Sequence, residues 1–275
     1  MDTMLSKLFA QLWGDRSPLY AYPKGILRVP RGRSRNAPPP FDTIGHAGVG
    51  LKYLLDHYAF ETVIDVGSGT GRHASLFEKF GKTVTRLDYG VADTFTKGGK
   101  TDDVILTDIV AFQTEKRWDC VWASHIMEHQ RNVGLFISKL FELTHEGGIV
   151  AITVPPVKQR LAGGHLTMWN QGLVIYNCCL AGIDMSEAEV FRYGGNITMI
   201  VRKKTIDLPK LGYDKGDIEM LQPFIDRVSC AHSTEDGHRF PRDRGYLFHG
   251  IAGSHPIAYV ECRRMRSNVV FRCVC

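Results

Sequence analysis

Val63-Ile64-Asp65-Val66-Gly67-Ser68-Gly69-Thr70-Gly71 is an apolar run that breaks into a glycine-rich loop, and the rest of the 275-residue chain reads outward from it. The β-branched residues Thr62, Val63, Ile64 and Val66 favour a buried strand. The glycines that follow let the backbone turn sharply and let a ligand come close to it. Next, Ala74, Phe77 and Phe80 fall on one helical face, with Gly81 placed to end the helix as a C-cap. A strand, a glycine loop and a helix in this order aim free N–H groups and a helix N-terminus at one point, which suits a carboxylate or a phosphate.

The flanking segments extend the pattern. Upstream, Leu51, Leu54, Leu55 and Tyr58 recur at helical spacing over 46–58. Downstream, 84–87 reads as a second strand closing on Asp88, 104–107 as a third closing on Asp108, and 120–123 as a fourth closing on Ser124. Val133, Phe136, Ile137, Leu140 and Phe141 mark a helix that Gly147-Gly148 is expected to stop; 149–154 is then a continuous apolar strand halted by Pro155-Pro156. A helix over 170–181 leads to a closing hairpin of 189–192 and 197–201 around Tyr193-Gly194-Gly195-Asn196. Strands alternating with helices imply an α/β fold with a doubly wound, mostly parallel sheet of seven strands. The expected organisation is an N-terminal helix and basic Pro-rich arm over 1–45, a core over 46–204, and a C-terminal appendage over 205–275 packed on that core. The appendage offers a short helix around 218–228 and β-like pieces near Tyr246, Ala258 and Val269.

Composition bounds the alternatives. A hydrophobic fraction of 44% suits one full α/β core. No apolar run is long enough for a membrane span and 1–13 lacks the pattern of a secretion signal, so a cytoplasmic protein is expected. The seven cysteines show no Cys-x-x-Cys pair; they read as reduced thiols used as small apolar residues, and no metal site is expected. The net charge is only +5, but Lys24, Arg28, Arg31, Arg33 and Arg35 form a run without an acid. It reads as a solvated arm that Pro30 and Pro38-Pro39-Pro40 keep from being helical, or as a patch for a phosphate-bearing partner.

Asp88 follows Asp65 by 23 positions, near the spacing at which a carboxylate at the end of the next strand receives the hydroxyls of a bound ribose. The loop has the form Asp-x-Gly-x-Gly-x-Gly and departs from the dinucleotide pattern Gly-x-Gly-x-x-Gly. Together with Val84-Thr85-Arg86-Leu87-Asp88, it resembles the signature of class I S-adenosylmethionine-dependent methyltransferases. Trp118-Asp119-Cys120-Val121, running through Ser124-His125-Ile126-Met127 into Glu128-His129, and the Gly147-Gly148 turn are similar to their small-molecule, type 11-like branch. The resemblance covers about 46–204 and implies a Rossmann-like methyltransferase fold with S-adenosyl-L-methionine as cofactor. It further implies that Gly67, Ser68, Gly69 and Gly71 surround the methionine part and Asp65 contacts its amino end. Asp88 would hold the ribose, Asp108 and Ile109 would border the adenine, and Ser124 would join the cofactor site from the fourth strand. Tyr89 matches the position that covers the adenine face, and reads equally as a surface aromatic.

An alcohol acceptor must lose a proton as its methyl bond forms, so a positioned histidine is sought as general base. His125 and His129 follow the fourth strand and His165 follows the fifth, all at the expected carboxyl edge of the sheet. Gly163-Gly164 before His165 suggests a loop able to move over the site, and Trp169 offers it a wall; for His129, orienting the next helix is the competing reading. The Asn/Asp-Pro-Pro-Tyr/Phe motif of many nucleic-acid amino-methyltransferases is absent after the fourth strand. The expected reaction is therefore O-methylation of a small-molecule or glycan acceptor, such as a sugar or a glycan end. The alternatives are C- or N-methylation of an aromatic or lipid precursor, methylation of RNA through the 24–35 run, which is not favoured, and a non-catalytic cofactor-binding interaction protein.

Overall fold

Strands that are apolar on both faces need cover on both sides, and the alternation of side chains assigns each residue to one layer. In β1 (Thr62–Val66), Ile64 and Val66 face one way and Val63 the other. The computed structural model describes residues 37–92, 95, 103–158, 162–214, 216–225 and 229–232. The basic run and the β-like pieces near Tyr246, Ala258 and Val269 lie outside the described residues.

The helices are α1 (Gly48–His57), α2 (Arg72–Lys79), α3 (Val133–Glu142), α4 (Gln171–Leu180) and the short α5 (Asp217–Leu221). Asn132 and Asn170 cap α3 and α4, accepting from Leu135 N–H at 3.1 Å and Leu173 N–H at 2.8 Å. The remaining strands are β2 (Thr83–Asp88), β3 (Val104–Leu106), β4 (Trp118–Ser124), β5 (Thr144–Val154), β6 (Glu189–Tyr193), β7 (Asn196–Arg202) and β8 (Ser229–His232). Val121, Ala123, Val150 and Ile152 join Ile64 and Val66 beneath Phe136, Ile137 and Leu140 of α3 and Val174 and Cys178 of α4. Cys120, Trp122, Ile149 and Ala151 join Val63 beneath Leu51 and Leu54 of α1 and Phe77 of α2. Cys120, Cys178 and Cys179 are buried free thiols, packed as apolar residues.

The sheet runs β3-β2-β1-β4-β5-β7-β6-β8. It is parallel from β3 to β5, antiparallel at β5–β7 and β7–β6, and parallel again at β6–β8. The expected seven strands are all present, and β8, from the segment read as an appendage, adds an eighth at the edge. The predicted hairpin closes on Gly194-Gly195, with Gly194 at a φ of +49°. Leu221 and Ile225 reach the α3 and α4 side of the core.

One expectation is corrected. Gly147-Gly148 does not stop α3, which ends at Glu142; both glycines lie inside β5, with Gly147 at a φ of +78° where the pairing to β4 shifts register. The helix end needs no glycine because other groups take its carbonyls. Thr144 Oγ1 donates to Leu140 O at 2.9 Å, and Lys203 Nζ donates to Phe141 O at 2.8 Å.

The chain leaves β1 toward β2 and β3, then returns as β4 on the other side of β1. At such a reversal the connecting loops diverge and leave a crevice beyond the carboxyl ends of the two strands. Among the described residues, no helix is long and apolar enough to cross a membrane.

Candidate functional site

The crevice is floored by the glycine loop. Gly67, Gly69 and Gly71 have φ of +72°, +49° and +77°, a left-handed conformation that the missing Cβ makes accessible. At Gly67 a Cβ would also lie 2.6 Å from Ile126 Cδ1, so the loop and the segment after β4 are in contact. Gly67 and Ser68 donate to Leu87 O at 2.8 and 3.2 Å, and Gly69 N–H donates to Asp88 Oδ2 at 2.8 Å. The second oxygen of Asp88 accepts from Gly90 N–H at 2.8 Å. Asp65, Gly67, Ser68, Gly69, Gly71 and Asp88 thus lie at the carboxyl ends of β1 and β2 and in the loop between β1 and α2.

Asp65 is buried, and desolvation pushes its carboxyl up to about 7; Arg86 opposes the rise, and Asp88 adds to it. Asp65 Oδ2, Ser68 Oγ and, at the end of β4, Ser124 Oγ are buried without hydrogen-bond partners. Asp108 and Ile109 follow β3 beside Asp88, whose carbonyl accepts from Thr107 N–H at 3.0 Å. Ile109 is buried, while Asp108 is exposed and accepts from Val110 N–H at 2.8 Å. Tyr89 is 61% exposed.

The histidines gather past β4. His125 holds a φ of +56°, a strained value for a residue with a Cβ, and its N–H donates to Thr153 O at 2.8 Å. Its Nε2 lies 2.8 Å from Asn196 Oδ1, which also accepts from Ala47 N–H at 3.3 Å. Asn196 therefore presents an acceptor, and His125 Nε2 carries a proton. His125 Nδ1 lies 3.2 Å from Oε1 of Glu128, a glutamate with no exposed surface. The rings of His46 and His125 lie 4.3 Å apart at a tilt of 34°; burial first, and His125 second, lower the pKa of His46 to about 4. His73, in the first turn of α2, accepts from Trp122 Nε1–H at 3.3 Å and donates through Nε2 to His46 O at 3.1 Å. It is a neutral structural imidazole, its pKa also lowered to about 4 by burial.

His129 and His165 meet edge to face at 5.0 Å. The loop bearing His165 is tied down: Leu166 N–H and Thr167 N–H donate to Glu128 O at 2.7 and 3.2 Å, and His129 Nδ1 donates to Gly164 O at 2.7 Å. Burial lowers the pKa of His165. One ligand atom each of Glu128, His129 and His165 lies within 4.8 Å of the others. His46, Asn196 and the buried state of Glu128 have no signal in the sequence, because long-range pairing alone assembles them.

Residues 24–191 match the family described as a methyltransferase domain. No curated protein matches the chain. Among solved structures, it is similar to a Burkholderia thailandensis 1,6-didemethyltoxoflavin-N1-methyltransferase with bound 1,6-didemethyltoxoflavin and S-adenosylhomocysteine, at 17% identity and a TM-score of 0.48 over 58% of this chain and 77% of that one. It is also similar to a SAM-dependent methyltransferase from Archaeoglobus fulgidus, at 14% identity and a TM-score of 0.48 over 58% of this chain and 95% of that one.

Proposed function

The chain belongs to the methyltransferase-domain family, and from that premise we propose that it transfers a methyl group from S-adenosyl-L-methionine to a hydroxyl oxygen of a small polar acceptor such as a sugar or a glycan end. The observation that carries the cofactor reading is the set of orphaned buried atoms, Asp65 Oδ2, Ser68 Oγ and Ser124 Oγ, at the ends of β1 and β4. A buried polar atom left unpaired costs about 1–3 kcal/mol, a cost that a polar ligand in the crevice removes. S-adenosylmethionine supplies a sulfonium methyl already activated for displacement. This chain's residues have to bind, orient and exclude water. Gly67, Ser68, Gly69 and Gly71 would surround the methionine part, Asp65 would face its ammonium, Asp88 the ribose, and Asp108, Ile109 and Tyr89 the adenine.

For the acceptor, His129 and His165 offer imidazoles at the carboxyl edge of β4 and β5, on segments fixed to each other. His125 has both ring nitrogens facing protein groups, Asn196 and Glu128, and is better suited to hold its neighbours than to meet a substrate. A cytoplasmic location belongs to the same proposal, supported by the three free thiols in the core. Mass-spectrometric screening of hydroxylated acceptors tests the reaction. In that assay His165→Ala is expected to lower turnover by at least about 10²-fold with cofactor affinity unchanged. Parental turnover in His165→Ala would remove His165 from the acceptor site.

A further inference from the structure

Glutamate is almost never fully buried unless it is paired; Glu128 has no exposed surface, neither carboxylate oxygen has a hydrogen bond, and His125 Nδ1 lies 3.2 Å from Oε1. A second imidazole faces the same oxygen. A carbonyl can only accept, so the contact of His129 Nδ1 with Gly164 O, at 2.7 Å, places the ring proton on Nδ1. The lone pair of the neutral ring is then on Nε2, which stands 3.9 Å from Glu128 Oε1. Glu128 Oε1 thus faces two imidazole nitrogens, His125 Nδ1 at 3.2 Å and His129 Nε2 at 3.9 Å.

A histidine that ligates a metal almost always donates its other ring N–H to a backbone carbonyl or carboxylate, which fixes the tautomer and orients the ring. His129 already has that arrangement. His165 brings a third ligand atom, all three lying within 4.8 Å of one another. Two donors on one tetrahedral zinc stand roughly 3.4 Å apart, from bonds of about 2.1 Å. His129 Nε2 and Glu128 Oε1 would need to close by about half an ångström, and the half-exposed ring of His165 can turn to complete the set.

We propose that Glu128, His129 and His165 form a binding site for one divalent transition-metal ion of the zinc class. Two imidazoles with one carboxylate favour such an ion over magnesium or calcium, which take oxygen ligands. Three protein ligands leave a coordination position open toward solvent, the arrangement of sites where a cation binds an oxygen of water or substrate. The backbone bonds from Leu166 and Thr167 to Glu128 O hold the two ligand-bearing segments together before any ion arrives. The inference does not depend on the proposed methyl transfer, and with an ion bound His129 and His165 serve as its ligands in place of a general base.

The test reads the metal directly. Full-length protein stripped with a chelator is titrated with Co²⁺, followed by its visible d–d absorption, and the ion is then displaced with Zn²⁺. One equivalent per chain is expected to bind and to be displaced. Losing a hydrogen-bonding group behind a ligand costs 10–100-fold in affinity, so His129→Ala and His165→Ala should each weaken binding by more than about 100-fold. His57→Ala, an exposed histidine on α1, serves as control and should bind as the parent does. Circular dichroism accompanies each variant, and His165, on its surface loop, can be changed without touching the core. Absence of stoichiometric binding to the parent would overturn the site. Parental affinity in a folded His129→Ala/His165→Ala double variant would do so as well, by placing the ion elsewhere.

Discussion

Asp88 shapes the loop as well as facing the crevice, because one oxygen holds Gly69 N–H and the other holds Gly90 N–H. Charge-assisted bonds of this kind are roughly twice as strong as neutral ones, and a ribose diol would add two more to the same carboxylate. Asp88→Ala should therefore weaken S-adenosylmethionine binding by on the order of 2–4 kcal/mol. Asp88→Asn, which keeps acceptor capacity without the charge, should fall between the alanine variant and the parent. Isothermal calorimetry decides it: alanine and parental affinities that coincide would mean the carboxylate serves the loop alone. Asp65 is a different case, since burial holds its pKa near 7 and leaves one oxygen unpaired. A cation delivered to that oxygen would favour the ionised form.

At the scale of elements, the loop carrying His165 depends on Gly164. Its φ is +77°, and a Cβ there would sit 3.1 Å from His129 Nδ1, against the ring that its own carbonyl orients. Gly164→Ala should introduce about 1–2 kcal/mol of local strain and displace His129. Turnover with a hydroxylated acceptor should fall by roughly 10-fold or more, while cofactor affinity stays within about twofold. A variant with parental turnover would show that the loop re-forms around the methyl group. The glycine loop, its strand and the acidic ends of β2 and β3 were legible in the sequence because each rests on local chemistry: φ above zero, β-branched runs, a polar residue ending an apolar one. The burial of Glu128 was not legible, because it depends on groups brought in from elsewhere in the chain, among them Leu166 and Thr167, whose N–H groups bond its carbonyl. Nor was β8, whose pairing with β6 joins residues some forty positions apart. The placing of Gly147-Gly148 inside β5 was missed because Thr144 and Lys203 do the work a C-cap glycine would do, and Lys203 arrives from the far end of β7.

The whole molecule couples its fold to pH through imidazoles that it keeps neutral. His46 and His73 have pKa values lowered to about 4 in the folded chain, against about 6.5 when unfolded, and burial is the first cause for both. Between those values the unfolded chain binds more protons, so stability rises with pH across the window and is lost on acidification from about 6.5 toward 4. Asp65 works the other way. Its pKa is raised to about 7, so over the same range the folded chain holds the extra proton and acidification favours folding. His165, also lowered, acts with the two histidines, and His145, raised, acts with Asp65, so three groups against two leave a net loss on acidification, and each proton is worth at most about 1.4 kcal/mol per pH unit. His73 is the group to isolate, since it links Trp122 in the core to the backbone of His46 before α1. Glutamine can accept from Trp122 through its carbonyl and donate to His46 O through its amide without binding a proton. Urea unfolding at intervals from pH 4.5 to 7.5 should show the parent losing stability as pH falls and His73→Gln losing it less steeply, by up to one proton's slope. If the two profiles run parallel, His73 is not titrating on unfolding, and the acid sensitivity belongs to His46 and the groups beside it.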